Sequence, residues 1–94
     1  MVESQFQLHP CIDLVKTGKN LKDLLQQKHV KVAQLSDALN LSDPRAIYFW
    51  LQGKKLPSID NLLALSVYFK VSINDILWYS FNEPVIIPYD DRAA

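Results

Sequence analysis

The helical pattern is clearest between residues 32 and 77, which read VAQLSDALNLSDPRAIYFWLQGKKLPSIDNLLALSVYFKVSINDIL. At its start, Val32, Leu35 and Leu39 recur at the spacing of one face of a helix. Asn40 follows, and asparagine tolerates the left-handed backbone conformation in which many helices end. The sequence therefore predicts a short helix that stops at Asn40.

A second helix is predicted after a three-residue turn, over about residues 43–52. Ser42 or Asp43 can cap its N-terminus, and Pro44 suits its first turn, where the missing N–H would have no intrahelical partner. Its buried face is predicted to contain Ile47, Trp50 and Leu51. The helix is predicted to end at Gly53. Two short helices joined by so tight a turn are typical of a helix-turn-helix unit.

Two more helices are predicted downstream. Ser58 can cap a helix from Ile59 to about Phe69, whose broad apolar face is predicted to contain Leu62, Leu63, Leu65, Ser66 and Phe69. Ser72 and Asp75 form a pair like a capping box, which opens a short helix through about Tyr79.

The flanking segments complete the predicted architecture. Leu21, Leu24 and Leu25 predict a first helix that begins at Thr17, its N-cap. Two prolines around a β-branched run predict an extended segment at the C-terminus. The fold class is therefore predicted as all-α, a five-helix bundle, with an N-terminal extension (1–16), a helical domain (17–79) and an extended C-terminal tail (80–94).

Composition excludes several classes of functional site. The chain has 94 residues, of which 49% are hydrophobic and 21% charged, as in one small globular domain. Two glycines are too few for a Gly-rich phosphate loop, and a single cysteine excludes an internal disulfide. Neither metal-ligand spacing nor a nucleophile–base pair is present, so we predict no metal, no cofactor and no enzymatic activity. Short apolar runs and a polar N-terminus predict a cytoplasmic protein with no membrane span.

Charge is distributed unevenly, although the formal net charge is zero. Residues 16–55 contain eight cations and three anions, a net charge of +5. Residues 1–15 carry −2 and residues 56–94 carry −3. A basic middle segment between acidic ends indicates a surface that faces a polyanion.

The stretch between about residues 17 and 78 resembles the Cro and lambda-repressor type of helix-turn-helix domain, the xenobiotic-response-element (XRE) family. The shared features are Leu35 with Ser36, the turn Asn40-Leu41-Ser42, Ile47, Trp50, Gly53, Pro57, Leu62, Leu65 and the closing run from Val71 to Leu77. The resemblance implies a sequence-specific transcriptional regulator that binds double-stranded DNA and inserts its second helix-turn-helix helix into the major groove.

The resemblance also implies which residues contact DNA. These candidates are Asp43, Pro44, Arg45, Tyr48 and Phe49 in the groove, with Lys54, Lys55 and Lys31 near the sugar-phosphate backbone. Arg45 is the candidate for direct readout, because its guanidinium can donate two hydrogen bonds to guanine.

Three positions depart from the family pattern. Val32 stands where members often have a glutamine that contacts phosphate, and Leu25 and Leu51 stand where many have an ion pair. Tyr48 and Phe49 place two aromatic side chains where polar readers are common. An alternative is therefore a protein-interaction module on the same fold, such as an antitoxin-type protein that binds a partner.

A domain of this size is expected to bind DNA as a homodimer on two half-sites. Val85, Ile86 and Ile87 are the candidate dimer contact, because an exposed apolar run is costly unless it is covered. Alternatively, this segment folds back on its own helices and the protein dimerises only on DNA.

Overall fold

The computed structural model describes residues 10–81, which form five helices and two short strands. In chain order these are β1 (Pro10–Ile12), α1 (Leu14–Gln27), α2 (Val32–Ala38), α3 (Arg45–Leu51), α4 (Ile59–Phe69), α5 (Ile73–Ile76) and β2 (Tyr79–Phe81). The predicted five-helix architecture is confirmed, and a small sheet is added to it. The predicted dimer contact at Val85, Ile86 and Ile87 lies outside the described residues.

The two strands form an antiparallel ribbon that the sequence pattern did not indicate. Pro10 lies opposite Phe81 and Ile12 lies opposite Tyr79. The backbone amide of Asp13 extends the pairing by donating to the carbonyl of Trp78 at 2.8 Å. Residues from both flanking segments thus belong to the folded structure.

A single core receives side chains from every helix. Its buried members are Leu21 and Leu25 of α1, Leu35 of α2, Ile47 and Trp50 of α3, Leu65 and Phe69 of α4, and Ile76 of α5. The prediction that Trp50 belongs to the core is confirmed. The prediction that Leu63 lies on the buried face of α4 is wrong, because 57% of its surface is exposed.

Helix α1 begins earlier than predicted. Its N-cap is Asp13, whose carboxylate accepts a hydrogen bond from the amide of Lys16 at 2.9 Å. Thr17, which was predicted to be the cap, lies buried within the helix, and its hydroxyl accepts from the amide of Trp78 at 2.9 Å. Asn20 donates to the carbonyl of Ile76 at 3.0 Å. Polar side chains of α1 therefore hold the end of α5.

Most of the predicted helix ends are confirmed. Asn40 (φ 56°) and Gly53 (φ 75°) adopt the left-handed conformation after α2 and α3. Ser58 caps α4, and Ser72 and Asp75 form the capping box of α5. Helix α5 stops at Ile76 rather than near Tyr79, because the chain there enters β2.

Candidate nucleic-acid interface

The position of α3 is set by two glycines at its contact with α1. A Cβ on Gly18 would lie 2.7 Å from the carbonyl oxygen of Leu51 and would also clash with the carbonyl of Trp50. A Cβ on Gly53 would lie 2.7 Å from the Cα of Val15. Both contacts are with backbone atoms, which cannot move aside as a flexible side chain can. Helices α1 and α3 can therefore approach this closely only because Gly18 and Gly53 have no Cβ.

Helix α3 presents one side to the core and the other to solvent. Ile47 and Trp50 are buried, whereas Arg45, Tyr48 and Gln52 are exposed. Tyr48 and Gln52 follow Arg45 by three and seven positions, which places all three on one face of the helix. Phe49 is partly buried beside them. The solvent-facing side of α3 therefore carries hydrogen-bonding groups and aromatic rings together.

Arg45 is fixed to Asp43 at the start of α3. One carboxylate oxygen, Oδ2, accepts a hydrogen bond from Nε of Arg45 (2.8 Å) and forms an ion pair with Nη2 (2.7 Å). The other oxygen, Oδ1, accepts from the Arg45 backbone amide (2.9 Å). The Arg45 side chain is nevertheless 80% exposed. The pair thus orients the guanidinium without removing it from solvent.

Electrostatics of this pair keep both groups charged. Hydrogen bonds from the side chain and the amide of Arg45 lower the pKa of Asp43 below its ordinary value. The hydrogen bond to Asp43 raises the pKa of Arg45 above its ordinary value. Near neutral pH the site therefore contains a carboxylate and a guanidinium.

Lys54 and Lys55 are tied to the C-terminal end of α3. The amide of Gly53 donates to the carbonyl of Trp50 at 3.1 Å, and the amide of Lys54 donates to that of Phe49 at 2.9 Å. This pattern is a Schellman motif, which satisfies carbonyls that the helix leaves unpaired. The Lys55 ammonium lies 5.6 Å from the centre of the Phe49 ring.

The structure brings some of the predicted residues together. An open cleft is lined by Asp43, Arg45, Phe49 and Lys55, along with Leu41, Ser42, Ala46 and Trp50. Pro44 is the exposed N-cap of α3, and Tyr48 and Lys54 are exposed outside that lining.

Lys31 lies apart from the cleft, at the exposed N-terminus of α2. Its backbone amide donates to the side-chain oxygen of Gln34 at 2.7 Å. Val32, the position of a frequent phosphate-contacting glutamine, packs partly buried against the core.

Two residues of this surface were missed from the sequence. Gln52 follows Arg45 by seven positions and Tyr48 by four, so helical spacing alone would have placed it on the same face. Ser42 was considered only as a cap, although it lines the cleft beside Asp43. Both side chains can donate and accept hydrogen bonds.

Within residues 10–81, no cluster of three or more histidine, cysteine or acidic side chains could hold a metal ion. None of the described helices has the length and apolar content needed to cross a membrane.

A short helix, a tight turn and a second helix with one exposed face define a helix-turn-helix domain of the DNA-binding class. Residues 21–76 match the model of the helix-turn-helix family HTH_3. The chain therefore belongs to this family, the XRE type of helix-turn-helix protein. No curated protein matches it in sequence.

Solved structures show the same relationship. The restriction-modification controller protein C.AhdI from Aeromonas hydrophila is 25% identical, with a TM-score of 0.62, over 68% of this chain and 96% of that one. A transcriptional regulator from Listeria innocua is also 25% identical, with a TM-score of 0.63, over 82% and 66%. The SOS-response repressor LexA from Eubacterium rectale shares the fold at 17% identity, with a TM-score of 0.65, over 83% and 80%. Family and neighbours together support a DNA-binding transcriptional regulator.

Proposed function

We propose that this protein is a sequence-specific, cytoplasmic transcriptional regulator that reads the major groove of double-stranded DNA with α3. The observation that carries the proposal is the exposed guanidinium of Arg45, held at the first residue of that helix. In helix-turn-helix proteins the N-terminal residues of the second helix contact base edges. Family membership implies that α3 enters the major groove, and Arg45 is the residue that hydrogen-bonds to base edges there.

The ion pair with Asp43 leaves the terminal edge of the Arg45 guanidinium available to bind DNA. Asp43 occupies the side-on donors of Arg45, Nε and Nη2. The remaining N–H groups of Nη1 and Nη2 point away as a parallel pair, which matches O6 and N7 of guanine. Asp43 therefore contributes to DNA binding indirectly, because it orients the Arg45 guanidinium before DNA binds. Such orientation reduces the side-chain entropy lost on binding.

The remaining candidates position the domain on the backbone and extend its contacts. Lys54 and Lys55 follow α3, and Lys31 precedes α2, so their ammonium groups neutralise phosphates at both ends of the helix-turn-helix. Tyr48 and Phe49 offer apolar surface for a thymine methyl group. Pro44 contacts the groove at the start of the same helix.

We further propose that two copies bind half-sites about one helical turn apart, as dimeric helix-turn-helix proteins do. One small domain buries limited DNA surface, so affinity at cellular salt requires a second copy. The regulator needs no metal or cofactor in this scheme, and no catalytic step.

A second candidate function is partner binding on the same face. The cleft beside Phe49 is lined partly by apolar side chains, and Tyr48 is 48% exposed. An antitoxin-type protein would use such a surface to bind a protein partner. This function predicts binding that does not follow DNA sequence.

The test is selection of genomic DNA fragments with the purified protein, followed by gel shifts at two salt concentrations. We expect one sequence class to be enriched and its affinity to fall with salt. Arg45→Ala should lose about tenfold or more in affinity for that class and lose discrimination at one guanine. Asp43→Asn should retain binding but discriminate less, because the fork is no longer fixed.

Lys22→Ala is the matched control, since it removes one positive charge from the exposed side of α1. It should leave the preferred sequence unchanged. If wild-type protein enriches no sequence and shows no salt-sensitive binding at low ionic strength, the DNA-reading function is rejected. The Tyr48 and Phe49 surface would then be tested for protein partners.

A further inference from the structure

The Asp43 carboxylate keeps some capacity to accept hydrogen bonds after it has bound Arg45. Oδ2 lies 2.8 Å from Nε and 2.7 Å from Nη2 of Arg45, and Oδ1 lies 2.9 Å from the Arg45 amide nitrogen. An ionised carboxylate has about four acceptor sites on its two oxygens, so Oδ1 retains one beyond these contacts. The Asp43 side chain is 43% exposed, which leaves this oxygen accessible to a ligand.

The position of Asp43 suits a contact with DNA bases. It directly precedes the first turn of α3 and lines the same open cleft as Arg45. In helix-turn-helix proteins the residues at this end of the second helix contact base edges. Successive bases along a DNA strand are about 3.4 Å apart. Because Oδ2 lies 2.7 Å from Nη2, a guanidinium bound to one guanine holds the carboxylate about one base step away.

We propose that Asp43 itself reads the base pair next to the guanine contacted by Arg45, by accepting a hydrogen bond from the exocyclic amino group of adenine or cytosine. The inference rests on the proposed function, because it requires α3 in the major groove and Arg45 on guanine. It adds a direct contact to the orienting role of Asp43. The half-site accordingly contains a guanine beside an amino base.

The chemistry of the carboxylate separates amino bases from keto bases. In the major groove adenine and cytosine present an amino group that donates, whereas guanine and thymine present a carbonyl oxygen that accepts. Hydrogen bonds from Arg45 lower the pKa of Asp43, so its carboxylate is ionised near neutral pH and has no proton to donate. A keto base therefore places oxygen against oxygen and leaves a desolvated carboxylate without a donor, which is costly.

Arg45 also makes a carboxylate acceptable in the groove. A lone negative charge there is repelled by the phosphates of both strands. The ion pair has no net charge, and Lys55 adds a positive charge to the same cleft. Asp43 can therefore approach the bases as one half of a neutral pair.

The test uses the wild-type, full-length protein and duplexes that carry the sequence enriched by selection. Each position flanking the essential guanine is replaced in turn by all four bases, and affinity is measured by gel shift. At one flank we expect adenine and cytosine on the same strand to bind alike, and guanine and thymine to bind about 5- to 100-fold more weakly.

A base analogue isolates the hydrogen bond. Purine deoxyribonucleoside lacks only the amino group of adenine, so placing it at that flank should weaken binding about tenfold. The same replacement outside the enriched sequence is the control and should leave affinity unchanged. Neither measurement depends on the stability of a protein variant.

Two protein variants assign the preference to Asp43. Asp43→Asn presents an amide that donates as well as accepts, so the preference for amino over keto bases should disappear. Asp23→Asn is the matched control: it removes the same charge from an exposed position of α1 and should retain the preference. Circular dichroism checks that both variants are folded.

Several outcomes would overturn the inference. Equal binding of all four bases at both flanks would leave Asp43 as a residue that only orients Arg45. A preference that persists in Asp43→Asn would mean that another residue reads the base. Wild-type protein that enriches no sequence would instead overturn the proposed function itself, so the two failures give different results.

Discussion

Replacing Gly18 by alanine should destabilise the protein, although alanine is the better helix former. Gly18 lies inside α1, where it faces the last turn of α3. The new methyl group would lie 2.7 Å from the carbonyl oxygen of Leu51 and would also meet the carbonyl of Trp50. Because both atoms are backbone, no side-chain rotation relieves the contact.

The magnitude follows from two opposing effects. Overpacking a well-packed contact costs up to about 3 kcal/mol, and the upper value applies where a rigid helix must move. Alanine in place of glycine within a helix returns about 1 kcal/mol. The expected net loss is therefore about 2 kcal/mol in the free energy of unfolding. For a domain of this size that lowers Tm by roughly 8–16 °C.

Thermal and urea unfolding, followed by circular dichroism and by tryptophan fluorescence, would measure this loss. Trp50 is 4% exposed and Trp78 is 39% exposed, so the fluorescence change on unfolding combines the exposure of the core at Trp50 with a smaller change at Trp78. Lys19→Ala is the control, since Lys19 is the next residue of α1 and is exposed; it should change the free energy by less than about 0.5 kcal/mol. A Gly18→Ala protein as stable as wild type would refute the argument that a close backbone approach sets the position of α3.

Two further predictions concern local chemistry. His29 follows the C-cap of α1 with φ 54°, so His29→Gly should stabilise the protein by about 1 kcal/mol in urea unfolding, and an unchanged midpoint would show that the αL conformation is unstrained. Asp43 should titrate below its ordinary pKa, and Arg45→Ala should raise that pKa; carboxyl NMR measures both. Because the folded pKa is depressed, the stabilising pair is fully present above the ordinary pKa and is lost as pH falls through the lowered value.

Local signals predicted most of the helices, because each acts within a few residues. Ser58 and Ser72 cap their own helices through bonds to amides three positions ahead. Asn40 and Gly53 mark helix ends through their tolerance of positive φ. These residues have the same chemistry in any fold, so the sequence alone identifies them.

The features that were missed are of two kinds. Some depend on contacts between residues far apart in the sequence, and another is a positive φ at a residue type that seldom adopts it. Thr17 has the chemistry of a cap, but its hydroxyl is used by Trp78, 61 positions away. The pairing of Pro10 with Phe81 is equally non-local. His29 adopts positive φ although neither glycine nor asparagine stands there.

The candidate site was predicted from the family resemblance rather than from geometry. The resemblance implied that Arg45 contacts DNA, and the structure shows its side chain exposed on α3. Nothing in residue spacing indicated that Asp43 would hold that guanidinium side-on. That contact depends on rotamers, which the sequence leaves open.

The ribbon of β1 and β2 has a consequence for how the chain could be rearranged. Since Pro10 and Phe81 are paired, the two ends of the described fold lie within about 5.5 Å of each other. Folds with adjacent ends tolerate circular permutation. A short linker could join these ends while the backbone is opened in the exposed Lys54-Lys55 loop. The order in which the helices are synthesised would change, and the same packing would remain available to them.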